Sequence, residues 1–281
     1  MKNLFGVMQG RLLPKYLNKY QAHPIGYWQD EFKIASDLNF DCIEFIFDFE
    51  KHNLNPLFFD SGLDSILENS KKNKILVKSI CADYFMESPI FIENLSVQNE
   101  NFRVLKKIII NSQKIGIKDI VIPLVDKSSI LGSLKKQFSV SSFLKKICVD
   151  LRGCDVNICL ETDLPPQQFI NFVKDINEPQ IKINYDIGNS VSMGYSYREE
   201  LDAYSNLITN IHIKDRLFNG SSVTLGDGDT DFKGFFSYLS KKTFKGIFIM
   251  QAFRDNDPVT SLIPQNEFII SCMNKYFYNN I

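Results

Sequence analysis

No dinucleotide-binding loop follows the first apolar run: residues 6–11, G-V-M-Q-G-R, do not match G-x-G-x-x-G. Nor is there a run of about 18 apolar residues, so no membrane-spanning helix is expected. The first stretch, MKNLFGVMQGRLLP, is broken by Gln9 and Arg11 and precedes no small-residue cleavage site, so no secretory signal is expected. Charge of one sign is missing too. The 32 basic residues oppose 33 acidic ones, for a net charge of -1, which removes the electrostatic reason to expect nucleic acid or a membrane surface as partner. The six cysteines include no C-x-x-C pair and mostly sit in apolar runs such as DCIEF and NICLE. They read as buried free thiols in a cytoplasmic protein, not as a disulfide framework or zinc knuckle.

What is present is a repeating pattern. Eight short apolar runs, rich in β-branched and aromatic residues, occupy 4–9, 42–47, 75–81, 119–124, 156–161, 181–186, 207–213 and 246–250. Near-continuous apolar runs suit strands covered on both faces, as in parallel sheets. Amphipathic stretches at 28–39, 63–73, 97–116 and 139–153 read as helices between them, the last two ending in Gly. Eight strand–helix units in 281 residues, about 35 each, predict an α/β fold of the (β/α)8 TIM-barrel kind. No linker or composition break appears, so residues 1–281 read as a single domain.

Chemistry in such barrels gathers where the strands end, at the C-terminal mouth. Four successive runs, the fifth to the eighth, end in or carry Glu161, Asp186, His212 and Gln251, spaced by 25, 26 and 39 residues. Neighbouring strand ends bring such groups together. Oxygen donors with one imidazole suit Mn2+, Mg2+, Co2+ or Zn2+, so one divalent metal ion is the expected cofactor. Any one acid at a strand end serves equally well as a helix cap; four in a row, including one of only three histidines, point to a site. Lys214, Arg216 and Arg254 follow the seventh and eighth runs, where barrels often hold a phosphate or carboxylate. Arg11 is expected to point into the mouth from the first run. Glu44 and Asp83 are expected as alternative bases or hydroxyl acceptors, and Gly226, Gly228 and Asp231 as a turn capping a helix from about residue 232.

The segments ICLETD, NYDIGN, NIHIKDR and LGDGDTDF, at 158–163, 184–189, 210–216 and 225–232, resemble those of the sugar phosphate isomerase/epimerase family, within the xylose isomerase-like TIM barrels. The likeness implies a metal-dependent sugar or sugar phosphate isomerase/epimerase in carbohydrate metabolism, working by proton transfer next to a carbonyl through an enediolate. Carried over by position, Glu161, Asp186 and His212 are metal ligands, and Glu161 is also the proton-transfer base. The fourth ligand position, a Glu in the family, is Gln251 here. Asn189 stands where many members place a His, and is expected near the substrate. A Gln neither takes nor gives a proton at neutral pH, although its carbonyl oxygen still binds metal.

This leaves a second reading: a catalytically altered or non-catalytic sugar-binding relative on the same barrel. The DNA-repair branch of the barrel, endonuclease IV, uses several histidines for three zinc ions. His23, His52 and His212 are the only histidines here, and no basic excess accompanies them. The expected partner is therefore a small-molecule sugar or sugar phosphate, with a homodimer as the expected assembly.

Overall fold

Each of the eight apolar runs forms a strand in the computed structural model, which describes residues 3–280. The strands are β1 (Phe5–Met8), β2 (Cys42–Ile46), β3 (Leu76–Cys81), β4 (Asp119–Leu124), β5 (Asn157–Thr162), β6 (Ile181–Asp186), β7 (Ile208–Ile213) and β8 (Ile247–Met250). All neighbours pair in parallel, and β1 also pairs with β8, closing the barrel. The expected (β/α)8 architecture is therefore present. A two-stranded hairpin, Asp215–Arg216 with Ser222–Val223, follows β7 and was not marked by the hydrophobic pattern. Its strands are two residues long, too short for any periodicity to show.

Helices cover the outside where amphipathic stretches were expected. Asp30–Asp37, Asp60–Asn73, Leu95–Ile115 and Leu134–Asp150 correspond to the four predicted ones. Gly116 caps the third at φ +75°, a left-handed conformation that glycine takes without strain. The fourth ends earlier than its glycine implies. Leu151 closes it by donating to Ile147, and Gly153 belongs to the following turn. No helix among the described residues is long and apolar enough to cross a membrane.

Side chains alternate along a strand, so one parity faces the barrel interior and the other the helices. Met8, Cys42, Ile46, Cys81, Val121, Cys159 and Ile249 form the inner cluster. The same parity carries Glu44 between Cys42 and Ile46, Glu161 beyond Cys159 and Gln251 beyond Ile249. Three of the interior positions are cysteines, and all six cysteines are free thiols. The larger cluster, between sheet and helices, holds most of the aromatic residues. Trp28 belongs to it, packed edge-on against Phe32 and Phe45.

Candidate metal centre

Ligand atoms of Glu161, Asp186 and His212, all buried, lie within 4.8 Å of one another at the ends of β5, β6 and β7. The expected trio is thus brought together. Two register shifts accompany the site: an extra residue, Lys78, enters β3 between the partners of Ile43 and Glu44, and another, Thr209, enters β7 between the partners of Ile183 and Asn184. Such irregularities re-aim the side chains of the strand that carries them, and the one in β7 lies three residues before His212.

His212 is held from two sides. Its Nε2 lies 2.7 Å from Glu44 Oε1. Its Nδ1 faces Glu161 Oε2 at 3.4 Å and Asn184 Nδ2 at 3.1 Å. A carboxylate on one imidazole nitrogen fixes the ring's orientation and presents the other nitrogen to a metal. Burial alone would pull the ring's pKa down, but Glu44 and Glu161 reverse this and raise it to about 10. The pair therefore favours positive charge at this imidazole, whether proton or metal ion.

Both oxygens of Glu161 are tethered, Oε1 by Asn189 Nδ2 and Oε2 by Asn184 Nδ2, each at 2.7 Å. Burial works against its ionised form, yet His212, Lys214 and Asn184 outweigh that and hold its pKa below the usual value. Asp186 turns Oδ1 back to cap the short helix that follows, accepting from the Asn189 N–H at 2.8 Å. Its Oδ2 is buried and takes no well-directed hydrogen bond, but lies 2.7 Å from Lys214 Nζ. Two carboxylates and one imidazole in convergent positions, one oxygen lacking a directed donor, fit a divalent ion.

Gln251 lies at the end of β8, where a fourth ligand was expected. Its Oε1 accepts from Lys214 Nζ at 3.2 Å and its Nε2 donates to Gln21 Oε1 at 2.9 Å. Lys214 and Arg216 both line the mouth, together with Asn189, Asp83, Asp126 and Gln21. Arg216 donates to Asn189 Oδ1 at 2.8 Å and to the Gly220 carbonyl. Asp83 accepts from Gln21 Nε2 at 2.8 Å and from the Cys81 thiol, and burial raises its pKa.

Three expected substrate contacts have other work. Glu44 is fully buried below the mouth, where it holds His212 and accepts from Asn210, so it offers nothing to a sugar hydroxyl. Arg254 turns away from the opening and donates to the Gly10 and Leu13 carbonyls, both at 2.6 Å. Arg11 reaches the mouth wall, but its donors go to the Ala252 and Tyr20 carbonyls and to Gln21. All three satisfy buried backbone or side-chain groups that would otherwise lack partners.

Asn184, Asn210 and Gln21 were not anticipated. Asn184 and Asn210 carried a readable signal, each lying two residues before a member of the trio on the same strand face, Asp186 and His212. Gln21 carried none. It lies in a loop and ties Arg11, Gln251 and Asp83 together only through the fold.

Residues 32–272 match the family model described as a xylose isomerase-like TIM barrel. A putative L-ribulose-5-phosphate 3-epimerase of Haemophilus influenzae is 23% identical over 267 residues, covering 88% of this chain and 92% of that protein. D-psicose 3-epimerase from Clostridium cellulolyticum H10, solved with D-tagatose, superposes with a TM-score of 0.76 at 13% identity, over 97% of this chain and 99% of that one. The IOLI protein, solved with a zinc atom bound, does so with 0.76 at 17% identity, over 98% and 99%.

Proposed function

The chain belongs to the xylose isomerase-like TIM-barrel family, and we propose that it is a metal-dependent isomerase or epimerase that moves a proton at the carbon beside a ketose carbonyl. The observation that carries this reading is the convergence of Glu161, Asp186 and His212 at three successive strand ends. These three would hold the ion, with the Gln251 carbonyl oxygen as the fourth donor available at β8. A bound divalent ion supplies electrophilic polarisation of the carbonyl and its neighbouring hydroxyl.

The chain's own groups do the rest. Glu161 is the proton-transfer base: its pKa lies low enough for it to be ionised, and two asparagines fix both its oxygens. In a two-base epimerisation the second group would stand on the opposite face of the substrate carbon. Gln251 occupies the family's position for it and cannot serve. The remaining carboxylates on the mouth wall are Asp83 and Asp126. Asp83, with its pKa raised by burial, is the one suited to return a proton.

The test pairs Mn2+ binding with solvent deuterium exchange into ketoses. One ion per chain with exchange at the carbon beside the carbonyl supports the enzyme. Binding of ketoses without any exchange would put the sugar-binding reading, to which Gln251 points, in its place.

A further inference from the structure

The Haemophilus relative is named for a phosphorylated ketose. A phosphate monoester needs backbone N–H groups or cations free to face it. In α/β barrels these come mainly from the loops after the seventh and eighth strands. In this chain both kinds of donor are already engaged at those places.

After β7 the segment Leu225–Asp231 curls so that the N–H groups of Gly226, Gly228 and Thr230 converge. They converge on Asp215, whose buried carboxylate accepts all three at 2.9, 3.0 and 3.2 Å. A Cβ on Gly228 would stand 2.3 Å from Asp215 Oδ1, so glycine is what lets the loop close this tightly on the carboxylate. The helix Phe232–Leu239 is capped by Asp231, which accepts from the Gly234 N–H at 2.8 Å. The helix Pro258–Tyr276, which follows β8, is capped by Asp257, which accepts from the Thr260 N–H at 3.3 Å. Each amide cluster that could cradle an anion already holds one of the chain's own.

The cations are likewise committed. Arg254 faces two backbone carbonyls, Arg11 two carbonyls and Gln21, Arg216 the Gly220 carbonyl and Asn189, and Lys214 the Asp186 carboxylate. The groove outside the mouth adds Asp48, Glu50 and Glu87 against Lys19, and Lys19 is paired with Glu50 at 2.6 Å. An incoming dianion meets carboxylates there without a free cation to offset them.

We propose that the site takes an unphosphorylated ketose and turns away its phosphate ester. Neutral hydroxyls can donate to the Asp83 and Asp126 carboxylates on the mouth wall, whose oxygens each accept more than one hydrogen bond. The inference rests on the ketose reading above and narrows it.

The wild-type chain loaded with Mn2+ is assayed with L-ribulose and other free ketoses and with their phosphate esters, and sulfate is added as a competing anion against chloride at equal ionic strength. The expected result is a kcat/KM at least about tenfold higher for the free sugar, with sulfate no more inhibitory than chloride. A preference for the ester, or competitive inhibition specific to sulfate, overturns the inference and leaves the ketose reading standing. Turnover of neither class overturns the ketose reading instead. Calorimetric titration with L-ribulose 5-phosphate then decides the anion question: a saturable site refutes the exclusion of phosphate, and its absence alongside binding of the free ketose upholds it.

Discussion

Lys214 and Asp186 form an ion pair in the middle of the candidate metal centre, ammonium to carboxylate at 2.7 Å, with the Asp186 side chain almost fully buried. The ammonium also reaches Gln251, so one lysine spans two of the four positions where metal ligands were expected. A family-type set of two glutamates, one aspartate and a histidine carries three negative charges. Here Gln251 removes one and Lys214 offsets another.

Lys214→Met keeps the side chain's bulk and removes this competing charge. Mn2+ should bind roughly tenfold or more tightly to the variant, since a cation a few ångströms from the ion repels it by kilocalories at interior dielectric. Without metal the variant should be less stable by about 3 kcal/mol, because Asp186 is left buried and unpaired, and Mn2+ should restore the loss. Calorimetric titration and thermal melts read both. Equal Mn2+ affinity in the two proteins would show that Lys214 leaves the ion alone.

Gln251→Glu returns a charge to the end of β8. Its new carboxylate lies beside Lys214 and beside Gln21, whose amide must turn to accommodate it. Much of the added charge should therefore be spent on the lysine. Mn2+ affinity should rise by less than about tenfold in the single variant and by more than that in the Lys214→Met background. Strict additivity in the double-mutant cycle would mean that the two positions do not share the ion.

Glu161→Gln retains size and one acceptor but cannot take a proton. Exchange of solvent deuterium into a substrate ketose should fall by ~10²–10⁴-fold, measured after Mn2+ occupancy is confirmed. Exchange at the wild-type rate would make Glu161 a ligand only and send the search for a base to Asp83.

Glu44→Gln separates orientation from chemistry. Glu44 touches His212 and Asn210 but not the mouth. Its loss should weaken Mn2+ binding by about 10–100-fold, the usual cost of removing the carboxylate behind a metal-binding histidine. At saturating Mn2+ the turnover should largely recover. A deficit that persists at saturation would mean that Glu44 handles protons itself.

His23 supplies a stability test that leaves the proposed ligand set untouched. It is buried between Trp28 and Phe45 with Nδ1 against Gln9 Oε1 at 2.8 Å, and burial lowers its pKa to about 3. The unfolded chain's histidine protonates near pH 6.5, while the folded one stays neutral down to about pH 3. Stability from this group is therefore intact above about pH 6.5 and lost as pH falls, because only the unfolded state gains the proton. Between pH 7 and pH 4 the wild type should lose about 3 kcal/mol relative to His23→Gln. Denaturant unfolding of the two proteins side by side gives the difference directly. Parallel pH profiles would refute the neutral buried form.

The eight strands were legible because each is a compact apolar run, and the convergence of Glu161, Asp186 and His212 because the acids and the lone histidine of the second half recur at one strand–helix spacing. What the pattern could not convey was direction beyond the strands. Glu44 and Arg254 have the right chemistry for a sugar site, yet one points down the barrel axis and the other back to the first loop. Nothing in CIEFIF shows that Glu44 meets His212 and Asn210 across the barrel interior. Gln21 joins three functional side chains from a loop with no periodicity. Nothing in the sequence marks Asp215 as buried; the curl of a glycine-rich segment thirteen residues on covers it.

The bond between Glu44 and His212 spans 168 residues of chain. The three proposed ligands, Glu161, Asp186 and His212, lie in the second half of the sequence, but the group that aligns the imidazole emerges early in synthesis. It must wait through five further strands before its partner exists. The ligands alone therefore do not make the centre. A nascent or fragmentary chain ending in the completed ligand set still lacks the aligned ring unless its first strands have come round to meet the last. On the proposed reading, tight metal loading would report that the first and second halves of the barrel have come together.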